Sequence, residues 1–389
     1  MILRLFLVRA KEVRAGRVAK DGMTDSIALT GDRLRALRAG AQLLHRPQPR
    51  LLVDELVQRL CGVQAQDFSA AELAVRARTT NLTASSVDRA RTSERSVVWT
   101  WAMRGTLHLI AADDLGWLLP LVAPSSFPGS RRRLAQLGVG GDAPAKAVRM
   151  ISKLLAGEGP LTRGEIAERL ARHGIRTEGQ AAVHLVRLAA LEGVICMGPN
   201  RGRERSFVLL RDWIRPQRAL AREEALTELA RRYLAAYGPA ELGDFATWSG
   251  LGLTDARIAW GRIARDLREI RIDGLTLWAL RSQNVRQAPR AVVRLVPNFD
   301  PYLLGYRSRD FAVPRQYARK VHPGGGMLRP VVLADGQAVG TWHFERRASK
   351  ICIMIQMFTK LDPKIKDALD PEAHDIGRFL GVSTELVIS

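Results

Sequence analysis

An internal repeat constrains the fold of this chain more than any other feature of its sequence. The segments LLAGEGPLTRGEIAERL (154–170) and YLAAYGPAELGDFATWS (233–249) carry a Gly-Pro pair and a later glycine in register, 79 residues apart. Each copy predicts a helix before the Gly-Pro turn and a short amphipathic helix after it, followed by a longer helix and a hairpin. This order is that of a winged helix, a variant of the helix-turn-helix.

A third copy is less evident upstream, where 33–44 and 51–64 have a helical period and GTLHLIA (105–111) is typical of a strand. The stretch 125–144 is rich in Gly, Pro and Ser and indicates a linker. From about residue 291 alternating β-formers with Asp-Gly and Gly-Gly-Gly turns predominate, with a helix expected at 370–383. The predicted class is α+β: winged helices at 27–135, 143–215 and 216–290, then a β-rich, barrel-like domain at 291–389.

The start of the chain and its cysteines limit the cellular setting. Residues 1–26 are basic, and their apolar run is too short for a signal peptide. We interpret them as a disordered extension or as a start codon assigned too early. No apolar run approaches the ~18 residues of a membrane span. Cys61, Cys196 and Cys352 match no metal or redox spacing, so we expect buried thiols in a reducing cytoplasm and neither a metal nor another cofactor.

The charge balance favours a nucleic-acid partner. Basic residues number 60 against 39 acidic ones, which gives a net charge of +21. An excess of this size makes a polyanion the default partner, with DNA or RNA ahead of a membrane. An arginine-rich composition also fits a GC-rich genome, but that bias need not unbalance arginine against acidic residues. The candidate contacts are Arg104, Arg163, Arg187, Arg201, Arg203, Arg205, Arg307, Arg309, Lys320 and His322.

These candidates differ in how specific their setting is. Arg201, Arg203 and Arg205 fall on the predicted second wing, where guanidinium groups contact phosphates or enter the minor groove. The alternative is a solvated turn. The C-terminal group, from Arg307 to His322, is interleaved with tyrosines 302, 306 and 317, so aromatic and cationic contacts are both expected there.

The pentapeptide Val63-Gln64-Ala65-Gln66-Asp67 is the candidate catalytic motif, predicted at the end of a short apolar helix. Amides do not titrate and are poor nucleophiles, so a pair of them suits orienting water against a leaving group that is ready to depart. The structural alternative is strong, because Asp67 is well placed to cap a helix beginning near Ser69. His108, alone in an apolar strand, is more often a structural residue.

Several separated motifs resemble one family. The segments VQAQD, WAMRGTLHLI, NFDPYLLGYRSRD and RPVVLADGQAVGTW occur in an order similar to that of the winged-helix DNA-binding superfamily. Within that superfamily they resemble the AlkZ-type DNA glycosylases, which protect producers of DNA-alkylating antibiotics such as azinomycin. The family's Gln-aliphatic-Gln motif falls on Gln64 and Gln66. A related branch has Asp at the second position, which this chain does not.

The resemblance implies three winged helices in a C-shape, a C-terminal β-barrel and a basic channel for double-stranded DNA. It also implies a monomer that hydrolyses the N-glycosidic bond of N7- or N3-alkylpurines, including interstrand crosslinks, without a cofactor. Gln64 and Gln66 would position water and sugar, whereas Asp67 would act as a base or only fix the loop. A non-enzymatic winged-helix regulator, or a protein that sequesters lesions, stays open as the alternative.

Overall fold

The computed structural model describes residues 27–45, 48–272, 274–285, 292–347 and 350–389. The expectation for the N-terminal extension, residues 1–26, lies outside the described residues. The described chain is a mixture of helices and sheets, as predicted, with three small sheets and one sheet of five strands.

The first unit (residues 53–111) forms a three-stranded sheet against its helices. Its strands lie in the order β2-β4-β3, all antiparallel. The helix predicted over 51–64 ends early, because Cys61 and Gly62 adopt positive φ angles and turn the chain into β2. Residues 27–41 precede this unit and form β1 Ile27–Ala28, which pairs in parallel with residues 270–271, and α1 Gly31–Ala41. The elements of the unit itself are α2 Val53–Arg59, β2 Val63–Gln64, α3 Phe68–Arg76, α4 Ala84–Thr92, β3 Val97–Trp101 and β4 Leu107–Ala111.

Two helices, α5 (Leu115–Val122) and α6 (Phe127–Gln136), follow the first unit. The interpretation of 125–144 as a linker is therefore wrong for α6. Its Pro128 stands at the second helical position, where the missing N–H costs nothing, and Leu134 is fully buried against the core. Arg131, Arg132 and Arg133 thus lie on a helix rather than in a loop.

The second unit (residues 143–209) repeats the order of the first. A long helix leads to a short strand and two helices, and then to two strands, with the sheet order β5-β7-β6. A short helix, α10 (Leu210–Trp213), follows the sheet. The elements of the unit are α7 Ala143–Glu158, β5 Leu161–Thr162, α8 Arg163–Arg172, α9 Ala181–Leu191, β6 Ile195–Met197 and β7 Ser206–Leu209.

The third unit (residues 222–280) has the same order once more, with an isolated bridge between Ala240 and Trp278 where the other units have their first strand. The long helix predicted over 254–270 ends at Arg262, and a strand begins at Leu267, where the chain pairs in antiparallel register with residues 275–280. The elements are α11 Arg222–Tyr237, α12 Leu242–Ser249, α13 Leu253–Arg262, β8 Leu267–Ile272 and β9 Leu275–Leu280.

The C-terminal domain (residues 292–389) is a curled half-barrel sheet rather than a closed barrel. Its strand order, β10 to β14, leaves β10 and β14 as edges. The segment after Asp300, predicted as β-rich, is a capped helical turn. The terminal helix begins earlier than predicted, and a parallel strand follows it. The elements are β10 Val293–Val296, α14 Pro301–Leu304, α15 Ala318–Val321, β11 Val331–Ala334, β12 Gln337–Arg347, β13 Lys350–Met357, α16 Pro363–Leu380 and β14 Ser383–Ile388.

Buried ion pairs join the last residue of α3, and a residue just after it, to the C-terminal domain. Arg78 and Asp300 are both fully buried, and the two guanidinium Nη atoms of Arg78 donate to the carboxylate at 2.7 and 2.9 Å. Arg76 donates to Glu372 at 2.9 Å, and Glu372 also accepts from Arg294 at 2.7 Å. These contacts fix the helix that follows the VQAQD motif against the half-barrel sheet.

Candidate active site

Gln64 lies on the edge strand β2 and Gln66 in the bend that follows it, not at the end of a helix as the sequence suggested. Gln64 pairs with His108 in β4, and the Ala65 N–H donates to the Leu107 carbonyl at 2.7 Å. Ala65 is fully buried, and its carbonyl oxygen accepts from Trp99 Nε1 at 3.1 Å. The chain then bends, so that Gln66 and Asp67 are exposed. We call Gln64, Gln66 and Asp67 the amide site.

Both glutamine side chains point their oxygens at donors. Gln64 Oε1 accepts from Arg104 Nη2 at 2.8 Å, and Gln66 Oε1 accepts from the Leu107 N–H at 3.3 Å. A guanidinium and a backbone N–H can only donate, so the oxygen rather than the nitrogen of each carboxamide must face them. Each carbonyl oxygen retains a second lone pair for a further hydrogen bond.

Arg104 lies in the turn between β3 and β4 (residues 102–106) and is half-buried. Its Nη1 donates to the Trp248 carbonyl near the end of α12, while Nη2 holds Gln64. Burial lowers the pKa of Arg104, and the nearby positive charge of Arg309 lowers it further. Arg104, which the sequence analysis names as a candidate DNA contact, thus makes hydrogen bonds to Gln64 and to the third unit.

Asp67 makes two contacts that fix the chain. One oxygen, Oδ1, accepts from the Ala70 N–H at 3.3 Å and caps α3. The other, Oδ2, accepts from Asn298 Nδ2 at 3.1 Å. These contacts fit the prediction that Asp67 caps a helix, although the helix begins at Phe68 rather than at Ser69.

His108 is fully enclosed in β4. Burial lowers its pKa to about 3, and the charge of Arg104 acts in the same direction. Its Nδ1 lies 3.0 Å from the Thr106 carbonyl, which only accepts, so Nδ1 carries the proton of a neutral ring. A histidine that stays neutral in this way fits the structural interpretation rather than proton transfer.

The second unit brings two of its predicted basic residues to the amide site. Arg205 stacks over the Trp99 ring at 4.5 Å, and Asp67 is near enough to oppose the lowering of its pKa by burial. Arg187 is half-buried, with its guanidinium against Gly105 in the first-unit turn, where any larger residue would collide with it. Burial lowers the pKa of Arg187.

The remaining basic residues of the second unit lie on its surface. Arg201 pairs with Glu165 at 2.5 Å, and Arg203 is exposed in the loop between β6 and β7. Arg163 is exposed at the first position of α8.

The predicted C-terminal group divides into two parts. Arg309 is half-buried and close enough to Arg104 for their charges to interact, whereas Arg307 is exposed and pairs with Glu241 at 3.7 Å. Lys320 lies over the stacked rings of Tyr317 and Phe358, at 5.7 and 5.6 Å, and His322 is exposed.

The expectation of interleaved aromatic contacts is wrong for two of the three tyrosines. Tyr302 and Tyr306 are buried in the core, where their hydroxyls donate to the Gly336 and Tyr237 carbonyls, each at 2.9 Å. Tyr317 alone of the three lies near the surface.

Tertiary contacts gather basic side chains from three parts of the chain around the amide site: Arg104 from the first unit, Arg187 and Arg205 from the second, and Arg309 from the C-terminal domain. Sequence reasoning missed Asn298, which supports Asp67. The only signal for it was its place in the NFDPYLLGY motif. Within the described ranges there is neither a cluster of potential metal ligands nor a helix long and apolar enough to cross a membrane.

Comparison with known proteins gives the class and the family. The model of the family described as "DNA glycosylase AlkZ-like" matches residues 57–379, most of the chain. The protein is therefore a DNA glycosylase, an enzyme that hydrolyses N-glycosidic bonds in DNA. Within that class it belongs to the AlkZ-like DNA glycosylase family.

A curated relative and a solved structure, both from Streptomyces sahachiroi, are similar to it. An interstrand DNA cross-link repair glycosylase is 31% identical over 357 residues, which cover 87% of this chain and 93% of the relative. The solved structure of the DNA glycosylase AlkZ matches with a TM-score of 0.79 at 28% identity, covering 93% of this chain and 100% of that one.

Proposed function

We propose that this glycosylase excises bulky N7- or N3-alkylated purines, including interstrand crosslinks, and leaves an abasic site. The observation that carries the proposal is the amide site, where each of the two carboxamide oxygens accepts a hydrogen bond and four guanidinium groups lie nearby. The acidic side chain of the site, Asp67, has both of its oxygens engaged by hydrogen bonds. The name of the curated relative, which describes crosslink repair, supports the same class of lesion.

The leaving group explains why amides suffice. An N7-alkylguanine carries a positive charge, so it departs with the electron pair of the C1′–N9 bond and becomes neutral without a general acid. The deoxyribose gains oxocarbenium character, and water adds to C1′ and releases its proton to solvent. Catalysis then requires a positioned water molecule and an electrostatic field that stabilises the developing charge on the sugar, rather than a strong base.

Gln64 and Gln66 supply that positioning. Each oxygen already accepts one hydrogen bond and has a lone pair left for the water or for the electron-poor sugar. Asp67, with both oxygens engaged by Ala70 and Asn298, fixes the loop rather than acting as the base.

The DNA would pass along the basic groups around this site. We interpret the three repeated units as tandem winged helices in a C-shape, and the half-barrel sheet as the end of the channel. Exposed Gln66 and Asp67 favour an open site, which a crosslinked base needs because it cannot leave the stack freely. The proposed contacts to DNA are Arg163, Arg187, Arg201, Arg203, Arg205, Arg307, Arg309, Lys320 and His322.

The alternative is a protein that binds or sequesters lesions without cleaving them. Membership of a glycosylase family favours the enzyme. A regulator would select a base sequence from random duplexes, whereas the proposed enzyme recognises a modification in any sequence and acts either in DNA repair or in self-resistance to an alkylating antibiotic.

The test uses single-turnover excision from duplexes that carry 7-methylguanine, a bulky N7 adduct or an N7-linked crosslink, with abasic sites revealed by alkali. The wild type should cleave the bulky or crosslinked substrate. Gln64→Ala and Gln66→Ala should each lose excision on the order of 100-fold while they still bind DNA. Gln136→Ala, which removes an exposed amide on α6, is the matched control and should cleave like the wild type.

Strand breaks at background level with all three substrates would refute the proposed function. Equal tight binding by the wild type and the double glutamine variant, without excision by either, would establish sequestration instead.

A further inference from the structure

Arg104 has an unusual setting for a DNA contact. It has a left-handed backbone, with φ at +56°, which holds its side chain across the first-unit turn. Its Nη1 donates to the Trp248 carbonyl of α12, and its Nη2 donates to Gln64 Oε1 at 2.8 Å. Both terminal nitrogens are thus committed within the protein.

The contact also joins two units of the chain. Gly250, the left-handed C-cap residue of α12, lies so close that a Cβ there would come within 3.1 Å of the Arg104 backbone nitrogen and 3.2 Å of its Cγ. The position of Gln64 in the first unit therefore depends, through Arg104, on the end of a helix in the third unit.

We infer that Arg104 is a positioning residue for the excision reaction: its guanidinium fixes the carboxamide of Gln64 and ties the amide site to the third unit through the Trp248 carbonyl. This rests on the proposed role of Gln64. Without Arg104 the glutamine side chain is free to rotate, and its oxygen no longer lies where the water or sugar requires it. DNA binding is unaffected, because phosphates are contacted by other residues.

The first experiment separates positioning from a phosphate contact. In single-turnover assays on the bulky N7 adduct, Arg104→Ala should slow excision on the order of 10- to 100-fold, with little change in the DNA dissociation constant or its salt dependence. Arg104→Lys should be almost as slow, since an ammonium group is a point charge that cannot bridge both oxygens. A phosphate contact would instead flatten the salt slope by about one and would be rescued largely by lysine.

A double-mutant cycle tests the coupling to Gln64. If Arg104 acts through Gln64, the Gln64→Ala, Arg104→Ala double variant should be no slower than Gln64→Ala alone. If the double variant is slower than Gln64→Ala by the full factor that Arg104→Ala alone causes, the inference is overturned. A wild type that excises nothing would overturn the proposed function instead, so the two failures are distinguishable.

A pair of glycine variants tests the link to the third unit. Gly250→Ala pushes a methyl group against Arg104, whereas Gly381→Ala imposes a similar left-handed strain (φ +70°) at the C-cap of α16 with no atom within 4 Å. Both should lower thermal stability through the left-handed backbone, Gly250→Ala somewhat more because of its contact with Arg104, but only Gly250→Ala should slow excision, by about five- to tenfold. Equal excision by the two variants would mean that the contact with α12 is only structural.

Discussion

The buried pair between Arg78 and Asp300 offers a quantitative test of how the fold holds the amide site. Both side chains are fully buried, and Asp300 Oδ1 also accepts from the Tyr302 N–H at 2.9 Å. Removing the carboxylate leaves an uncompensated guanidinium in the core, which costs roughly 3–5 kcal/mol. Losing the cap of α14 adds about 1 kcal/mol. Asp300→Ala should therefore destabilise the protein by about 4–6 kcal/mol.

Equilibrium unfolding in urea measures the effect, because urea is uncharged and does not screen ion pairs. Adding Arg78→Met to Asp300→Ala removes the unpaired buried guanidinium and should recover part of the lost free energy of unfolding. The matched control is Glu168→Ala, which breaks the exposed pair with Arg172 on α8 and should cost less than about 0.5 kcal/mol. A cost below about 1 kcal/mol for Asp300→Ala, or a double variant less stable than the single one, would refute the argument from burial.

Three further predictions follow from the site and its surroundings. Asp67→Asn keeps an N-cap acceptor and should retain stability and excision, whereas Asp67→Ala should lose about 1 kcal/mol in thermal melts; loss of excision in Asp67→Asn would make Asp67 a base. Burial raises the pKa of Glu72 from 4.5 to about 7. As pH rises from 4.5 to about 7, the carboxyl group of Glu72 ionises in the unfolded chain before it does so in the folded protein, so the free energy of unfolding falls over this range. Glu72→Gln should therefore stabilise the protein at pH 8, by on the order of 1–3 kcal/mol, but not at pH 4. Equal shifts of the melting temperature at both pH values would contradict this. Replacing Arg201, Arg203 and Arg205 by alanine should flatten the slope of log affinity against log salt by about two, since Arg201 is already paired with Glu165. An unchanged slope would mean that the hairpin between β6 and β7 does not contact DNA.

Local patterns identified many elements of the fold. The Gly-Pro repeat predicted helices and hairpins that correspond to α8, α9 and the β6–β7 hairpin, because amphipathic period and turn residues act over short distances. The Asp335-Gly336 turn between β11 and β12 was also evident, since both residues take the positive φ angles of a tight hairpin.

The sequence predicted the ends of helices, and the places where a helix gives way to a strand, less accurately. The apolar run of 51–64 continues from α2 into β2, and only the left-handed turn at Cys61 and Gly62 divides them. The strand at 383–388 depends on its pairing with β13, some thirty residues earlier in the chain, which no local pattern records.

The sequence by itself determined the chemistry available to this protein: two amides that do not titrate, a surplus of arginine, and a family pattern that runs through separated motifs. Only the tertiary structure decided what these groups do to one another. It joined Arg104, a candidate DNA contact in the sequence, to Gln64 by a hydrogen bond, and it joined Asp67 to Asn298, 231 positions away. The physical reason is that hydrogen bonds and burial depend on distance in space, whereas residue spacing reports only neighbours on the same helix or strand.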